Sequence, residues 1–117
     1  MAHPVLKFQI LSTDADASAK FYAELFGWTI NADNPLGYRE IDTKCGDGIQ
    51  GGIWPAPQQS HDFVQLFVHA DDVAASIKRA EQLGAALLIP LTTLPGGEQM
   101  AVLKDPRGLP SAIWRAA

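Results

Sequence analysis

The chain has 117 residues, of which 47% are apolar, and this is enough to form one compact domain with a buried core. Its net charge of −4 at pH 7 and its scattered basic residues argue against binding to nucleic acid. No apolar run reaches the roughly 18 residues that a membrane span needs. The single cysteine, Cys45, cannot form an intrachain disulfide and sits in a predicted turn, so we expect a reducing, cytoplasmic location.

The first half of the chain predicts a β-α-β-β-β module. Residues 5–11 alternate between apolar and polar side chains, which is typical of a half-buried strand. Asp14 is a predicted helix N-cap, and Gly27 is a predicted helix stop. The predicted elements are strand 5–11, helix 15–26 and strands 28–32, 38–43 and 49–54, with turns at 34–37 and 45–48. The predicted apolar positions on the buried side of this amphipathic helix are Ala19, Tyr22 (or Phe21), Leu25 and Phe26.

The second half of the chain predicts the same plan after a linker, PAPQQS, at residues 55–60. Asp72 stands before the second helix as Asp14 stands before the first, and Gly84 follows it as Gly27 does. The predicted elements are strand 63–69, a helix from Val73 to Leu83, and strands 86–90, 98–104 and 110–115. The predicted buried positions of this helix are Val73, Ile77, Ala80 and Leu83.

This repetition at a nearly constant spacing indicates one domain, 1–117, built from two modules. We place the first module at 4–54, the linker at 55–61 and the second module at 62–116. Each module alone is marginal in size, which favours packing of one on the other.

The segments FYAELFGW after the first strand and VLKDPRGLPSAIW at the end make the whole chain resemble the vicinal oxygen chelate superfamily. This superfamily includes glyoxalase I, bleomycin resistance proteins and extradiol dioxygenases. The resemblance implies an α+β fold in which two curved mixed sheets form a cup-like half-barrel, with a helix outside each. It also implies a small-molecule site within the cup and a homodimer.

The resemblance further locates the four strand positions at which the family's metal enzymes carry their ligands. In this chain they are Lys7, Gly52, Gln65 and Ala112. The ammonium of Lys7 repels a cation. The side chains of Gly52 and Ala112, a hydrogen and a methyl group, have no atom that can bind a metal. The single amide oxygen of Gln65 does not hold a divalent metal on its own. We therefore expect neither a metal nor a cofactor, and small residues at 52 and 112 are expected to leave room in the cup.

Strand alternation assigns the side chains that line the cup. The opposite, helix-facing positions are Leu6, Phe8 and Ile10 in the first strand and Val64, Leu66 and Val68 in the fifth. A lining of aromatic and sparse polar groups is typical of a site for a small organic molecule. Trp54 and Trp114 have an alternative role in the core or in a dimer interface. The predicted ligand-binding residues are Lys7, Gln9, Tyr38, Gly52, Trp54, Gln65, Phe67, Met100, Ala112 and Trp114.

Three residues are candidates for catalysis: Lys7, Glu40 and His69. A lysine in a partly apolar cup has a lowered pKa and can bind a carboxylate or act as a base. The alternatives are that Lys7 is solvated, that Glu40 joins an exposed ion pair near Arg39, and that His69 faces solvent.

Four functions remain open on these residues. The first is a metal-independent protein, similar to glyoxalases and bleomycin resistance proteins, that binds a small aromatic or apolar molecule. The second is a metal-free lyase or isomerase that uses acid–base groups. The third is a metal enzyme, such as a dioxygenase, whose ligands have moved to His69, Glu40 and Glu98. The fourth is an interaction module without a ligand. The residues at the metal positions and the aromatic lining favour the first function, and they leave open whether the protein is an enzyme.

Overall fold

The computed structural model describes residues 2–34, 37–44, 46–56 and 61–117. Part of the predicted turn at 34–37, Cys45 in the next turn and most of the predicted linker lie outside this part. The order of the elements confirms the α+β class and the two consecutive β-α-β-β-β modules. The elements are β1 (Val5–Ser12), α1 (Ala15–Phe26), β2 (Thr29–Asn31), β3 (Arg39–Asp42), β4 (Gln50–Pro55), β5 (Phe63–His69), α2 (Val73–Gln82), β6 (Ala86–Thr93), β7 (Gln99–Lys104) and β8 (Pro110–Arg115). Neither of these helices is long and apolar enough to cross a membrane.

The elements belong to two compact units whose limits differ from those of the predicted modules. The first unit is Lys7–Gln65, and the second unit combines residues 2–6 with residues 66–117. The N-terminal segment joins the second unit because the Pro4 carbonyl accepts a hydrogen bond of 3.0 Å from the His69 amide. The His3 ring also contributes, since its Nδ1 lies 2.9 Å from the His69 carbonyl oxygen.

In the first unit the strands follow the order β2-β3-β4-β1, with β1 parallel to β4 and the other pairs antiparallel. One face of this sheet packs on α1 through a buried cluster. Gly51 in β4 is required by this packing, because a Cβ atom at that position would overlap the Phe8 ring. The buried cluster consists of Ile10, Ala15, Ala19, Ile41 and Ile53.

Helix α1 begins and ends at the predicted residues. The Asp14 carboxylate accepts a hydrogen bond of 3.1 Å from the Ala17 amide, as an N-cap does. Gly27 ends the helix in the left-handed conformation, with φ of 74°. The predicted burial of Leu25 and Phe26 is wrong, since they are 59% and 55% exposed. Both lie in the last turn of α1, whereas the buried residues of the helix, Ala15 and Ala19, lie in its first two turns.

In the second unit the strands follow the order β5-β8-β7-β6, with β5 parallel to β8 and the other pairs antiparallel. Helix α2 starts at the predicted cap, where the Asp72 carboxylate accepts a hydrogen bond of 3.0 Å from the Ala75 amide. Leu83 is 61% exposed and not buried as predicted, because the helix ends at Gln82 and Leu83 is its C-cap. The cluster under α2 consists of Ala70, Val73, Ala101 and Ile113.

Two strands of the second module differ from their predictions. Val64 and Leu66 of β5 are 63% and 54% exposed, because the cluster under α2 extends along this strand only to Val68. Strand β6 continues past Pro90 to Thr93. Proline is tolerated there because β6 is an edge strand with irregular pairing to β7.

Candidate functional site

The sheet face of the first unit that lies opposite α1 carries polar side chains in rows across the strands. Lys7 is paired with Gln50, and Gln9 is paired with Gly52. On the other side of Gly52 lies Glu40. Because side chains two residues apart share a face, these residues point to the same side of the sheet. We call this the polar face, and its residues are Lys7, Gln9, Asn31, Tyr38, Glu40, Asp42, Gln50 and Gly52.

A cavity of about 480 Å³ opens on the polar face. Three predicted site residues meet in it, namely Lys7, Tyr38 and Glu40. Sequence reasoning missed Thr29, Asn31 and Gln50 as lining residues, although strand alternation applied to β2 and β4 places them on the same face. The lining residues are Lys7, Thr29, Asn31, Tyr38, Glu40, Ile41, Asp42, Gln50 and Gly51.

The Tyr38 phenol fills the space above Gly52. A Cβ atom at position 52 would overlap the Tyr38 hydroxyl and the ring carbon that bears it. The expectation that Gly52 leaves this space open is therefore wrong, because a neighbouring strand supplies the side chain that occupies it. The Trp54 ring packs on the Tyr38 ring with 4.7 Å between their centroids.

Burial and charge shift the pKa values of two groups in the cavity. The Lys7 amine lies 5.0 Å from the centroid of the Tyr38 ring. Burial lowers the pKa of Lys7 below its usual value, and the Glu40 carboxylate partly opposes this shift. Burial also raises the pKa of Tyr38 to about 12, and Glu40 adds to the rise. The Tyr38 hydroxyl is therefore protonated at neutral pH, and the Lys7 amine loses its proton more readily than an exposed lysine does.

Several polar atoms are buried without a hydrogen-bond partner in the part of the chain that the structure describes. They include Oε1 of Gln9, Oε1 of Gln65 and the hydroxyl of Tyr38. Gln9 and Gln65 are only 2% and 3% exposed. An unpaired buried polar group costs about 1–3 kcal/mol, so its retention calls for a functional explanation.

Arg39 and Glu40 point to opposite faces of β3. The Arg39 guanidinium lies 2.6 Å from the Asp16 carboxylate of α1. Glu40 lines the cavity, where it affects the pKa values of both Lys7 and Tyr38. Glu40 is itself exposed, so its alternative role in an exposed ion pair with neighbours of Arg39 stays a prediction.

In the second unit, the sheet face opposite α2 is apolar. Its register places Phe67 beside Ala112, and Ala112 beside Val102. These three residues form a buried cluster, against which Met100 and Trp114 pack. We call these five residues the apolar face. The predicted site residues Phe67, Met100, Ala112 and Trp114 thus lie together, and their role in ligand binding stays a prediction.

His69 does not line the cavity that contains the other two candidate catalytic residues. It lines a cavity of about 470 Å³ beside α2, together with His3 and Arg79. Its Nδ1 is 3.7 Å from the Asp71 carboxylate. The structure therefore places Lys7 and Glu40 in one cavity and His69 in another.

The residues at the four metal-ligand positions implied by the resemblance do not fit a divalent cation. Lys7 offers an ammonium, Gln65 offers an amide, and Ala112 offers a methyl. At Gly52, which has no side-chain donor, the space is taken by the Tyr38 phenol. Among residues 2–34, 37–44, 46–56 and 61–117, no group of three or more His, Cys, Asp and Glu side chains is arranged to hold a metal. His69, Glu40 and Glu98, the relocated ligand set considered above, are among these residues.

A model of the Glyoxalase-like domain family matches residues 7–113. The chain belongs to this family. A Mycobacterium tuberculosis (strain CDC 1551 / Oshkosh) protein named as glyoxylase CFP32 is 28% identical over 113 residues, covering 90% of this chain and 42% of that protein. The anthracycline biosynthesis protein DnrV of Streptomyces peucetius is 28% identical over 124 residues, covering 92% of this chain and 45% of that protein. The chain thus spans less than half the length of these relatives.

Several solved structures are similar in fold to this chain. Methylmalonyl-CoA epimerase from Mycobacterium tuberculosis has a TM-score of 0.64 at 16% identity, covering 100% of this chain and 93% of that chain. The Streptomyces coelicolor epimerase in complex with 2-nitronate-propionyl-CoA has a TM-score of 0.62 at 17% identity, covering 99% of each chain. At these identities the likeness shows the fold alone.

Proposed function

We propose that this glyoxalase-like protein binds a small organic molecule, aromatic or apolar in part, in the cavity on the polar face and without a metal ion. The observation that carries the proposal is the Tyr38 phenol above Gly52, with the Lys7 amine over its ring. These two side chains occupy the place where the family's metal enzymes would carry ligands. The cavity therefore offers hydrogen-bonding groups and ring surface instead of a coordination sphere.

The size and lining of the cavity suit such a ligand. Its volume of about 480 Å³ lies within the range of roughly 300–1,000 Å³ that is typical of small-molecule sites. The Tyr38 ring offers apolar surface, while Lys7 and Gln50 offer hydrogen-bond donors. The complexes of the structural neighbours with CoA esters support a small-molecule role for the fold, and they do not identify the ligand of this chain.

A second candidate function is a metal-free lyase or isomerase, and one observation favours it. Lys7 and Glu40 line the same cavity, so a base and an acid are available to one bound molecule. The name of the mycobacterial relative as a glyoxylase makes methylglyoxal a first substrate to assay. Turnover that disappears in both Lys7→Met and Glu40→Gln variants would favour this function over binding alone.

The binding proposal is tested by metal analysis followed by a titration. We expect the purified protein to contain no stoichiometric zinc, nickel, manganese or iron. Tryptophan fluorescence is then titrated with a panel of aromatic compounds that includes 2-naphthol, because Trp54 contacts Tyr38. Lys7→Met should weaken the binding of the compounds that bind by about tenfold or more, since it removes a charged hydrogen-bond donor. Lys20→Met, a change at an exposed position of α1, is the matched control.

A stoichiometric metal would overturn the metal-free part of this proposal. Equal binding by wild type and Lys7→Met, or no binding by any compound of the panel, would overturn the assignment of the site.

We also propose a homodimer, as the family resemblance implies. Leu87, Leu88 and Ile89 on the edge strand β6 are 38%, 46% and 45% exposed, and such an apolar edge supports self-association. Light scattering coupled to size-exclusion chromatography tests this directly. A mass of one chain across the micromolar range would contradict it.

A further inference from the structure

Lys7 differs from the other lysines of the chain in its surroundings. It is partly buried on the polar face and lines the cavity. The remaining lysines lie on exposed parts of the helices, of a turn and of a strand end. They are Lys20, Lys44, Lys78 and Lys104, and all are exposed.

The groups around Lys7 suit a reaction at its amine. The Tyr38 ring lies beneath it, with 5.0 Å between the amine nitrogen and the ring centroid. Two carboxylates line the same cavity, those of Glu40 and Asp42. Asp42 accepts a hydrogen bond of 3.0 Å from the Gln50 side chain, whereas Glu40 influences the charge of Lys7 directly. Of the two carboxylates, Glu40 is the one whose charge acts on the pKa of Lys7, and we assign the proton transfers to it.

We propose that Lys7 forms a Schiff base with an aldehyde or ketone that enters this cavity, with Glu40 transferring the protons. The proposal rests on the proposed function, because it uses the same cavity and names carbonyl compounds as a class of ligand. It adds a covalent step to non-covalent binding.

The step balances without an oxidant or a reductant. The neutral Lys7 amine attacks the carbonyl carbon, and Glu40 takes one proton from the nitrogen and passes it to the carbonyl oxygen, which gives a neutral carbinolamine. Glu40 then takes a proton from solvent and gives it to the hydroxyl, which leaves as water while the carbon–nitrogen double bond forms. The iminium loses its remaining proton through Glu40 to solvent, which gives the imine and returns the borrowed proton, and addition of water reverses the reaction.

The surroundings of Lys7 favour the form of the amine that reacts. Burial lowers the pKa of Lys7, so a larger fraction of it is neutral at a given pH than of an exposed lysine. Each unit by which the pKa is lowered raises that fraction about tenfold at neutral pH. The exposed lysines of the same chain serve as internal references for this effect.

The experiment is reductive trapping of the purified protein with benzaldehyde and sodium cyanoborohydride, followed by peptide mass mapping. We expect a single benzyl group on Lys7, formed faster at neutral pH than on any of the exposed lysines, because the lowered pKa leaves more of its amine neutral. Labelling that is spread evenly over the lysines, or that is slowest at Lys7, would overturn the proposal.

Variants separate the chemistry from the binding site. Lys7→Arg keeps the positive charge and should abolish the rapid labelling, whereas Lys20→Arg should leave it unchanged. Glu40→Gln should lower the labelling rate at neutral pH about tenfold or more, because the variant cannot transfer protons between the amine and the carbonyl oxygen. An unchanged or faster rate would overturn the role of Glu40.

2-Naphthol, which has no carbonyl group, distinguishes this inference from the proposed function. If the wild type binds 2-naphthol through Lys7 but is not labelled there, the Schiff base is overturned and the binding site stands. If neither binding nor selective labelling occurs, both proposals are overturned.

Discussion

The two modules place different chemistry on corresponding faces of their sheets. In the first unit, the face opposite the helix carries Lys7, Glu40 and a cavity. In the second unit, the corresponding face is closed by the buried cluster around Phe67 and Ala112. The helix-covered faces, in contrast, are alike, since both are apolar and both helices begin at a capping aspartate. The two modules thus share the plan of the backbone, while their sheet faces without a helix carry different side chains.

The largest loss of stability should come from creating a cavity in the apolar face. Phe67 is 4% exposed and contacts Trp114, with 6.0 Å between the ring centroids. Phe67→Ala should lower the free energy of unfolding by about 3–5 kcal/mol, because it leaves a cavity in a packed cluster. Urea denaturation measures this. A loss below about 1 kcal/mol would show that the face is not a packed core.

The matching substitution on the polar face is Gln9→Met. Gln9 is as buried as Phe67, but its Oε1 lacks a partner among the residues described. Replacing it with an apolar side chain of similar shape should leave stability unchanged or raise it by up to about 1 kcal/mol. A large loss would place Gln9 in the core and remove the contrast between the faces.

The second prediction concerns the contact between Tyr38 and Gly52. Gly52→Ala should destabilise the fold by about 1–3 kcal/mol, because the new methyl group overlaps the Tyr38 phenol. Gly46→Ala is the matched control, since a Cβ atom there meets nothing within 4 Å. The loss should shrink in a Gly52→Ala/Tyr38→Ala double variant, and additive losses would show that the two residues do not touch.

The third prediction tests the features that the two modules share. The Asp14 and Asp72 carboxylates each accept a hydrogen bond from a backbone amide three residues later, at 3.1 and 3.0 Å. Asp14→Ala and Asp72→Ala should each cost about 1 kcal/mol in urea denaturation. Markedly unequal losses would show that the modules differ on their helical sides as well.

The fourth prediction is a spectroscopic effect of the polar face. The pKa of Tyr38 is raised from 10.0 to about 12 in the folded protein, mainly by burial. The contribution of this raised pKa to the free energy of unfolding is fully present below pH 10 and is lost as the pH rises towards 12. The lowered pKa of Lys7 has the opposite effect on the free energy of unfolding. Burial of the charged amine lowers this free energy at low pH, and the loss becomes smaller as the pH rises towards 10.5.

Ultraviolet absorbance measures this directly, because phenolate formation changes the spectrum and the chain has only two tyrosines. Tyr38→Phe should remove a transition near pH 12, and Tyr22→Phe should retain it. Ionisation of Tyr38 near pH 10 would contradict the burial of its hydroxyl.

Much of the fold could be predicted because its signals are local. Asp14 and Gly27 mark the ends of α1, and alternation marks β5 and β8, whose limits agree with the prediction. Burial was less predictable, because it depends on which partner covers a residue. Leu25 and Val64 follow the correct periodicity, yet no element in the described part of the chain covers them, so they are exposed.

The candidate site was predictable in part. Alternation placed Lys7, Tyr38 and Glu40 on faces that the structure brings together in one cavity. That Tyr38 covers Gly52 could not be foreseen, because it depends on the pairing of two strands and on the direction of one side chain. Whether these residues bind a ligand remains a prediction.

The most direct test of the central claim is a nuclear magnetic resonance titration of isotopically labelled protein with 2-naphthol in the presence of a metal chelator. We predict saturable shifts of the backbone amides of Lys7, Tyr38, Glu40 and Gln50, with those of Phe67 and Ala112 unchanged. Shifts centred on the apolar face, or binding that appears only after a divalent metal is added, would contradict the account.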